Sequence, residues 1–135
     1  MSDPELEKIK LKKAEMLMKL QNMPQEIVNI YNLEDFYKLL NDYKKIIIID
    51  FWAVWCGPCM AFAPIFQKLQ EEYQNDYIFA KVNVDDNQII AMRYGISSIP
   101  TTLFIKNNRV LNKVVGAMNY NSLKILLEKL KDYNH

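Results

Sequence analysis

"KIIIIDFWAVWCGPC", residues 45–59, joins a run of consecutive apolar residues to two cysteines separated by Gly57 and Pro58. A strand that is apolar at every position has both faces covered, so residues 45–52 are expected at the centre of a sheet. The run delivers the chain to Trp55 and then to the only cysteines of the protein, Cys56 and Cys59. Because a central strand ends and a helix begins there, the pair falls at the C-terminal edge of the sheet, where functional groups of α/β folds collect.

Outward from this stretch, short apolar runs alternate with helical stretches, the signature of strands interleaved with crossover helices. The pattern predicts strands over 26–31, 45–52 and 77–84, and helices over 33–42, 59–73 and 86–94. A loop then leads to Pro100, followed by strands over 101–106 and 109–115 and a last helix over 120–133. In "TTLFIKNNRVLNKVV", residues 101–115, Asn107 and Asn108 tolerate the positive φ of a tight hairpin turn, so an antiparallel edge is expected. Pro64, inside the 59–73 helix, is expected to kink it.

Upstream, residues 3–21 read as one more helix, with Asp3 as cap, Pro4 in the first turn, and Leu6, Ile9, Met16, Leu17 and Leu20 at roughly helical spacing. Pro24 ends it. The expected organisation is therefore an N-terminal helical extension, residues 1–24, and one domain, residues 25–135. The extension holds five lysines and four acidic residues, and the remainder carries twelve charges of each sign. Such a helix packs on the domain or trails as a tail, docks a partner or a second copy, or lies on a membrane surface. Acidic residues interrupting its basic face weigh against the membrane.

With 135 residues, half of them apolar, the chain is the size of one domain with a sizeable core. A net charge of +1 provides no field for collecting a polyanion, which argues against nucleic acid. No apolar run approaches a membrane span, so no membrane insertion is expected. The start, "MSDPELEKIKLKK", shows no secretory signal, and the expected compartment is the cytoplasm, where thiols are kept reduced. A close cysteine pair there points to redox chemistry or metal.

Four readings compete for that pair. Structural zinc needs four ligands, and the chain offers two cysteines and His135, so only a site shared between chains survives. Haem attachment needs histidine after the second cysteine, where Met60 stands. A buried inert pair suits the burial habit of free cysteine but not a strand–helix junction. At a helix start, by contrast, unpaired amides and the dipole stabilise the thiolate of Cys56, the attacking species in disulfide exchange. Cys59, one turn on, is close enough to attack a mixed disulfide formed at Cys56. Gly57 and Pro58 keep the turn tight, since proline presets φ and lacks a competing N–H.

"DFWAVWCGPC" (50–59), "YGISSIPT" (94–101) and "VVGAM" (114–118) together resemble the active-site, cis-proline and glycine-loop motifs of the thioredoxin family, in order and in spacing. The resemblance runs from about residue 26 to 133. It implies a thioredoxin fold, three α/β/α layers around a mixed five-stranded sheet, with the N-terminal helix added. It also implies a protein-disulfide reductase with no bound cofactor beyond its own Cys56–Cys59 disulfide. The implied partners are disulfide-containing target proteins and a flavin-containing thioredoxin reductase.

Residue roles follow from the same resemblance. Read alone, Asp50 is either a buried acid with a raised pKa or a strand-end carboxylate in water; the resemblance implies the proton acceptor for Cys59. Lys81 reads alone either as a lysine that tunes a half-buried acid or as a solvated lysine on a sheet face, and the resemblance implies the neighbour of Asp50. Pro100, alone an ordinary turn proline, is implied to be cis and packed on the sulfurs, leaving the backbone of Ile99 to bind target chains as an added strand. Trp55, Gly57, Pro58, Ile99, Pro100, Val115, Gly116 and Ala117 would form an apolar collar around Cys56. Trp52 reads as packing beside the site.

Met60, Ser98 and Asn108 depart from residues frequent in the family, and none of them touches the exchange chemistry. A thiol oxidase or disulfide isomerase is the rival within enzymes, but such members tend to carry histidine-containing pairs between the cysteines, and Gly-Pro favours reduction. A thioredoxin-like binding module is the rival outside them. Its binding would survive loss of both cysteines.

Overall fold

In the computed structural model, which describes residues 3–21 and 23–133 and only the backbone of 15–21, the isoleucine run is the middle of the sheet. The strands are β1 (Val28–Ile30), β2 (Ile47–Trp52), β3 (Ile78–Asn83), β4 (Thr101–Lys106) and β5 (Arg109–Val115). Their order is β1-β3-β2-β4-β5. β2 runs parallel to β3 and antiparallel to β4, so the sheet is mixed, as expected.

Two-sided burial of β2 follows from its sequence. Ile47, Ile49 and Phe51 point into one core with Phe36, Leu39 and Leu40 of α2 (Leu33–Asp42) and Ile90 of α4 (Gln88–Arg93). Ile46 and Ile48 point into the other, with Phe62, Phe66 and Leu69 of α3 (Gly57–Tyr73) and Leu123 and Leu127 of α5 (Tyr120–Leu130). Each such side chain taken fully from water contributes roughly 1.5–3 kcal/mol. This fixes the register, because slipping β2 by one residue would exchange the two cores and move Asp50 to the other face.

Local chemistry sets the ends of the elements. Asn32 caps α2 by accepting from the Asp35 N–H at 2.7 Å, and Asn119 caps α5 by accepting from the Ser122 N–H at 2.8 Å. Asn107 and Asn108 adopt φ of 52° and 65° in the β4–β5 turn. Lys113 of β5 donates to the carbonyls of Tyr94 and Gly95, tying that edge strand to the loop leading to Pro100.

The predicted elements all occur, with shifted ends. The strand expected over 26–31 shortens to Val28–Ile30, an edge strand paired only with β3. The helix expected from residue 59 starts at Gly57, because Cys56 acts as its cap. The helix expected over 86–94 is trimmed to Gln88–Arg93, and the last helix ends at Leu130, followed by a 3-10 turn over Lys131–Tyr133. Pro64 lies within α3 on its exposed side.

α1 (Pro4–Gln21) begins as read, with Asp3 Oδ1 accepting from the Glu5 N–H at 3.0 Å. Residues 3–14 are exposed throughout, Leu6, Ile9 and Leu11 included, so this part of the helix is not packed on the domain. Met23, beyond the helix, does belong to the core shared with α2. Among the described residues no helix is long and apolar enough to cross a membrane.

Phe66 and Leu11 should therefore respond oppositely to truncation. Phe66→Ala is expected to destabilise the protein by about 3–5 kcal/mol, and Leu11→Ala by less than about 0.5 kcal/mol. Urea unfolding of the two variants measures this, and comparable losses would contradict the packing described.

Candidate active site

Cys56 closes the turn after β2 and caps α3. Its N–H donates to the Ala53 carbonyl at 3.2 Å, its carbonyl accepts from the Met60 N–H, and its extended backbone (φ −89°, ψ 109°) points the side chain back over the helix end. There Sγ accepts from the Cys59 N–H at 3.2 Å. Gly57 and Pro58 fill the first turn, where a proline costs no hydrogen bond. Cys56 and Cys59 are joined as a disulfide with their Cα atoms 5.2 Å apart.

The two sulfurs have unequal surroundings. Both cysteines are buried, Cys56 at 5% and Cys59 at 1% exposure, but Cys56 lies between exposed Trp55 and exposed Gly57, and open space surrounds the position a Gly57 side chain would take. Cys59 is on the buried face of α3, the face continued by Phe62, Phe66 and Leu69. Phe66 stacks edge-on against Phe79 of β3, the register partner of Ile48. Cys59 also joins a cluster with Ala53, Cys56 and Trp52 at the C-terminal end of β2, where Trp52 stands two residues beyond Asp50.

On the far side of the disulfide the Ile99–Pro100 peptide is cis. The Ile99 carbonyl oxygen is 3.7 Å from Cys56 Sγ, and Ile99 packs against Ala53, Cys56 and Cys59. The loop is pinned where Gly116 N–H donates to the Pro100 carbonyl at 2.8 Å, with Gly116 at φ 100°, a backbone that favours glycine. Thr101 and Val115 pair across β4 and β5 just beyond. Trp55, Pro58, Val115 and Ala117 are exposed, Ile99 and Gly116 half-buried, and Pro100 buried.

Two residues of this surface escaped the sequence reading. Val54 is 70% exposed and adds to the apolar rim beside Trp55. Asp85, after β3, accepts from Trp55 Nε1 at 2.8 Å and so fixes the indole. No local pattern links positions 30 apart in sequence. Met60, read as a departure, is also exposed and apolar.

Beneath the disulfide, Asp50 is fully buried, and neither carboxyl oxygen has a hydrogen-bond partner among the described residues. Lys81 Nζ stands 3.9 Å from Oδ2 and 4.7 Å above the Trp52 ring, so the ammonium bridges acid and indole. Burial pushes the Asp50 pKa up to about 7, with the Lys81 charge pulling the other way. Such a group changes its proton near neutrality.

Among the described residues no group of three or more histidine, cysteine, aspartate or glutamate side chains could hold a metal ion. His135, weighed above as a zinc ligand, lies outside the described residues.

A family model described as Thioredoxin matches residues 27–129. The chain is 44% identical to a thioredoxin of Chlorobaculum thiosulfatiphilum over 90 residues, 67% of this chain and 83% of that one. It is 46% identical to a thioredoxin of Coprinus comatus over 101 residues, 74% of this chain and 93% of the relative. The crystal structure of Schistosoma mansoni thioredoxin superposes with a TM-score of 0.72 at 38% identity, covering 78% of this chain and 95% of that one.

The raised pKa of Asp50 has a signed consequence for stability. Between pH about 4 and 7 the folded protein retains a proton that the unfolded chain has lost, so stability falls as pH rises through this window and the penalty is constant above it. At 1.36 kcal/mol per pKa unit, the whole effect is at most about 4 kcal/mol. Unfolding of oxidised Asp50→Asn and its parent from pH 4 to 8 should show the difference shifting in the variant's favour up to pH about 7. A difference independent of pH would contradict the buried titration.

Proposed function

The chain belongs to the thioredoxin family and is a thiol-disulfide oxidoreductase that reduces protein disulfides through Cys56 and Cys59, and from that premise we propose a division of labour among its residues. Cys56 is the nucleophile. Its thiolate attacks one sulfur of a target disulfide, the other target sulfur leaves as a thiolate, and a mixed disulfide forms. Cys59 then passes its proton to the Asp50 carboxylate and attacks the Cys56 sulfur. The second target thiolate is released, the Cys56–Cys59 bond closes, and two electrons have moved from the pair to the target.

The single observation that carries this assignment is the asymmetry of the sulfurs: one at the helix start with a backbone N–H aimed at it, the other on the buried face. Asp50 suits the acceptor's part because a group that titrates near 7 takes and returns a proton cheaply at neutral pH. Lys81 limits how far burial raises it. The Ile99 backbone, held by Pro100 beside Cys56, offers main-chain hydrogen bonds to an extended target segment. Trp55, Gly57, Pro58, Val115, Gly116 and Ala117 supply the collar against which that segment lies. The named relatives are thioredoxins, and the oxidase, isomerase and binding-module alternatives are not favoured.

A thioredoxin reductase returns the pair to the dithiol, and the cytoplasm, with its reduced thiol pool, is the compartment in which a reductant of this kind is sustained. Residues 1–24 form an extension to the catalytic domain of 25–135, joined to the core of that domain through Met23. Its support is the start of the family match at residue 27 and the exposure of residues 3–14.

Alkylation of the reduced protein at neutral pH tests the assignment. Cys56 should react at least about tenfold faster than Cys59, since about 1.4 kcal/mol of thiolate stabilisation, within reach of a helix N-terminus, is worth that factor. Cys59→Ser should accumulate the mixed disulfide with target, and Asp50→Asn should slow product release while sparing the first attack. Equal alkylation rates would remove the roles given to the two sulfurs.

A further inference from the structure

Three buried side-chain oxygens lack a hydrogen-bond partner among the described residues: both of Asp50 and the hydroxyl of Thr102. Their distribution is not scattered. In the antiparallel register of β2 and β4, Asp50 and Thr102 are direct partners, so their side chains rise from the same face with Cβ atoms about 4.5–5.5 Å apart. In the parallel register of β2 and β3, Asp50 is aligned with Lys81. A polar row, Lys81–Asp50–Thr102, thus crosses three strands beneath the start of α3.

Among the described residues the rest of that face is mainly apolar, with Trp52 beside Lys81. α3 covers it with Cys59, Phe62 and Phe66, α5 with Leu123 and Leu127, and the β5 register partner of Thr102 is Val114. Lys81 from β3 is the charged side chain of the row, and among the described residues Cys59 and Tyr73 from α3, Tyr77 before β3 and Tyr120 from α5 are the further titratable groups on this side of the sheet. The adjacent threonine behaves differently, since the Thr101 hydroxyl donates to the Ser98 carbonyl at 2.6 Å. A buried hydroxyl without a partner is costly, and a buried carboxylate more so. When the two face each other at this spacing, rotation about the Thr102 χ1 bond lets one relieve the other.

We propose that Thr102 is a positioning residue for the proton-transfer step, its hydroxyl donating to the Asp50 carboxylate from the side opposite Lys81. Such a bond favours the ionised acid, the form that receives the Cys59 proton, and holds the carboxyl plane between its two neighbours. When Asp50 takes the proton, the hydroxyl is free to accept from the new carboxylic acid, so the row remains satisfied in both states. The inference rests on the reading of Asp50 as proton acceptor and adds to it a second group that sets the acid's affinity.

Thr102→Val removes the hydroxyl at nearly constant shape, and Thr102→Ser keeps it. Titration of the Asp50 carboxyl carbon by NMR in both variants and the parent, alongside the pH profile of release from the mixed disulfide, reads the effect. The valine variant should move the Asp50 midpoint upward by about one pH unit or more, the size expected for a hydrogen bond to a charged group. The release profile should move with it, and the serine variant should return both to the parent. A midpoint that stays or falls in a folded valine variant, or a serine variant that behaves like valine, overturns the inference. Asp50→Asn separates this from the underlying reading: if it leaves release unchanged, Asp50 is not the acceptor; if it slows release while the valine midpoint stays, only the role of Thr102 fails.

Discussion

The hydrogen bond from the Cys59 N–H to the Cys56 sulfur is the contact through which fold and chemistry meet. It exists because β2 ends and α3 begins within a few residues, which leaves the first amides of the helix without carbonyl partners and gives one of them to a sulfur. Its strength also limits the chemistry. A helix N-terminus stabilises an anion by about 0.3–1 kcal/mol, up to about 2 kcal/mol in favourable geometry. Moving a dithiol pair from the roughly −270 mV of thioredoxin-type reductants to the roughly −120 mV of a strong oxidant takes about 7 kcal/mol of added stabilisation of the reduced form. No histidine stands between these cysteines, Met60 brings no charge, and Lys81 is directed to Asp50. The site is built to activate a nucleophile while leaving the pair a reductant.

The same central strand imposes the cost beneath the site. A strand buried on both faces gives its apolar residues to two cores, and Asp50 is carried inside with them. The carboxyl is tolerated because Lys81 reaches it from one side and because it can hold a proton at neutral pH. What burdens the folded state is what the proposed role of proton acceptor requires.

Much of this was legible in the residues themselves. Four consecutive isoleucines announced the central strand, and Asn107-Asn108 between two apolar runs announced the hairpin, whose strands fall at the predicted positions. The ends were less legible where side-chain capping sets them. Periodicity does not reveal that a cysteine caps α3, so the helix starts two residues earlier than read. β1 pairs with β3 over three residues only, Val28–Ile30, so the flanking residues read as strand lie outside the ladder. In the site, the cysteine pair followed from spacing and chemistry, whereas Asp50, Lys81 and Pro100 acquired roles only through the family resemblance. Asp85 and Thr102 went unread because both act through tertiary register, one across a loop to Trp55 and the other across a strand pair to Asp50. The N-terminal helix was predicted as a helix, yet its exposed Leu6, Ile9 and Leu11 meet no core.

The reduction potential of the Cys56–Cys59 pair, equilibrated against defined thiol–disulfide buffers and followed by tryptophan fluorescence, tests the central claim most directly. Trp52 and Trp55 lie just ahead of the disulfide in the chain and provide the fluorophores for this measurement. A value near roughly −270 mV is predicted, since the helix start is the principal stabiliser of the Cys56 thiolate. A value between about −180 and −120 mV would contradict the account and make the protein an isomerase or an oxidase.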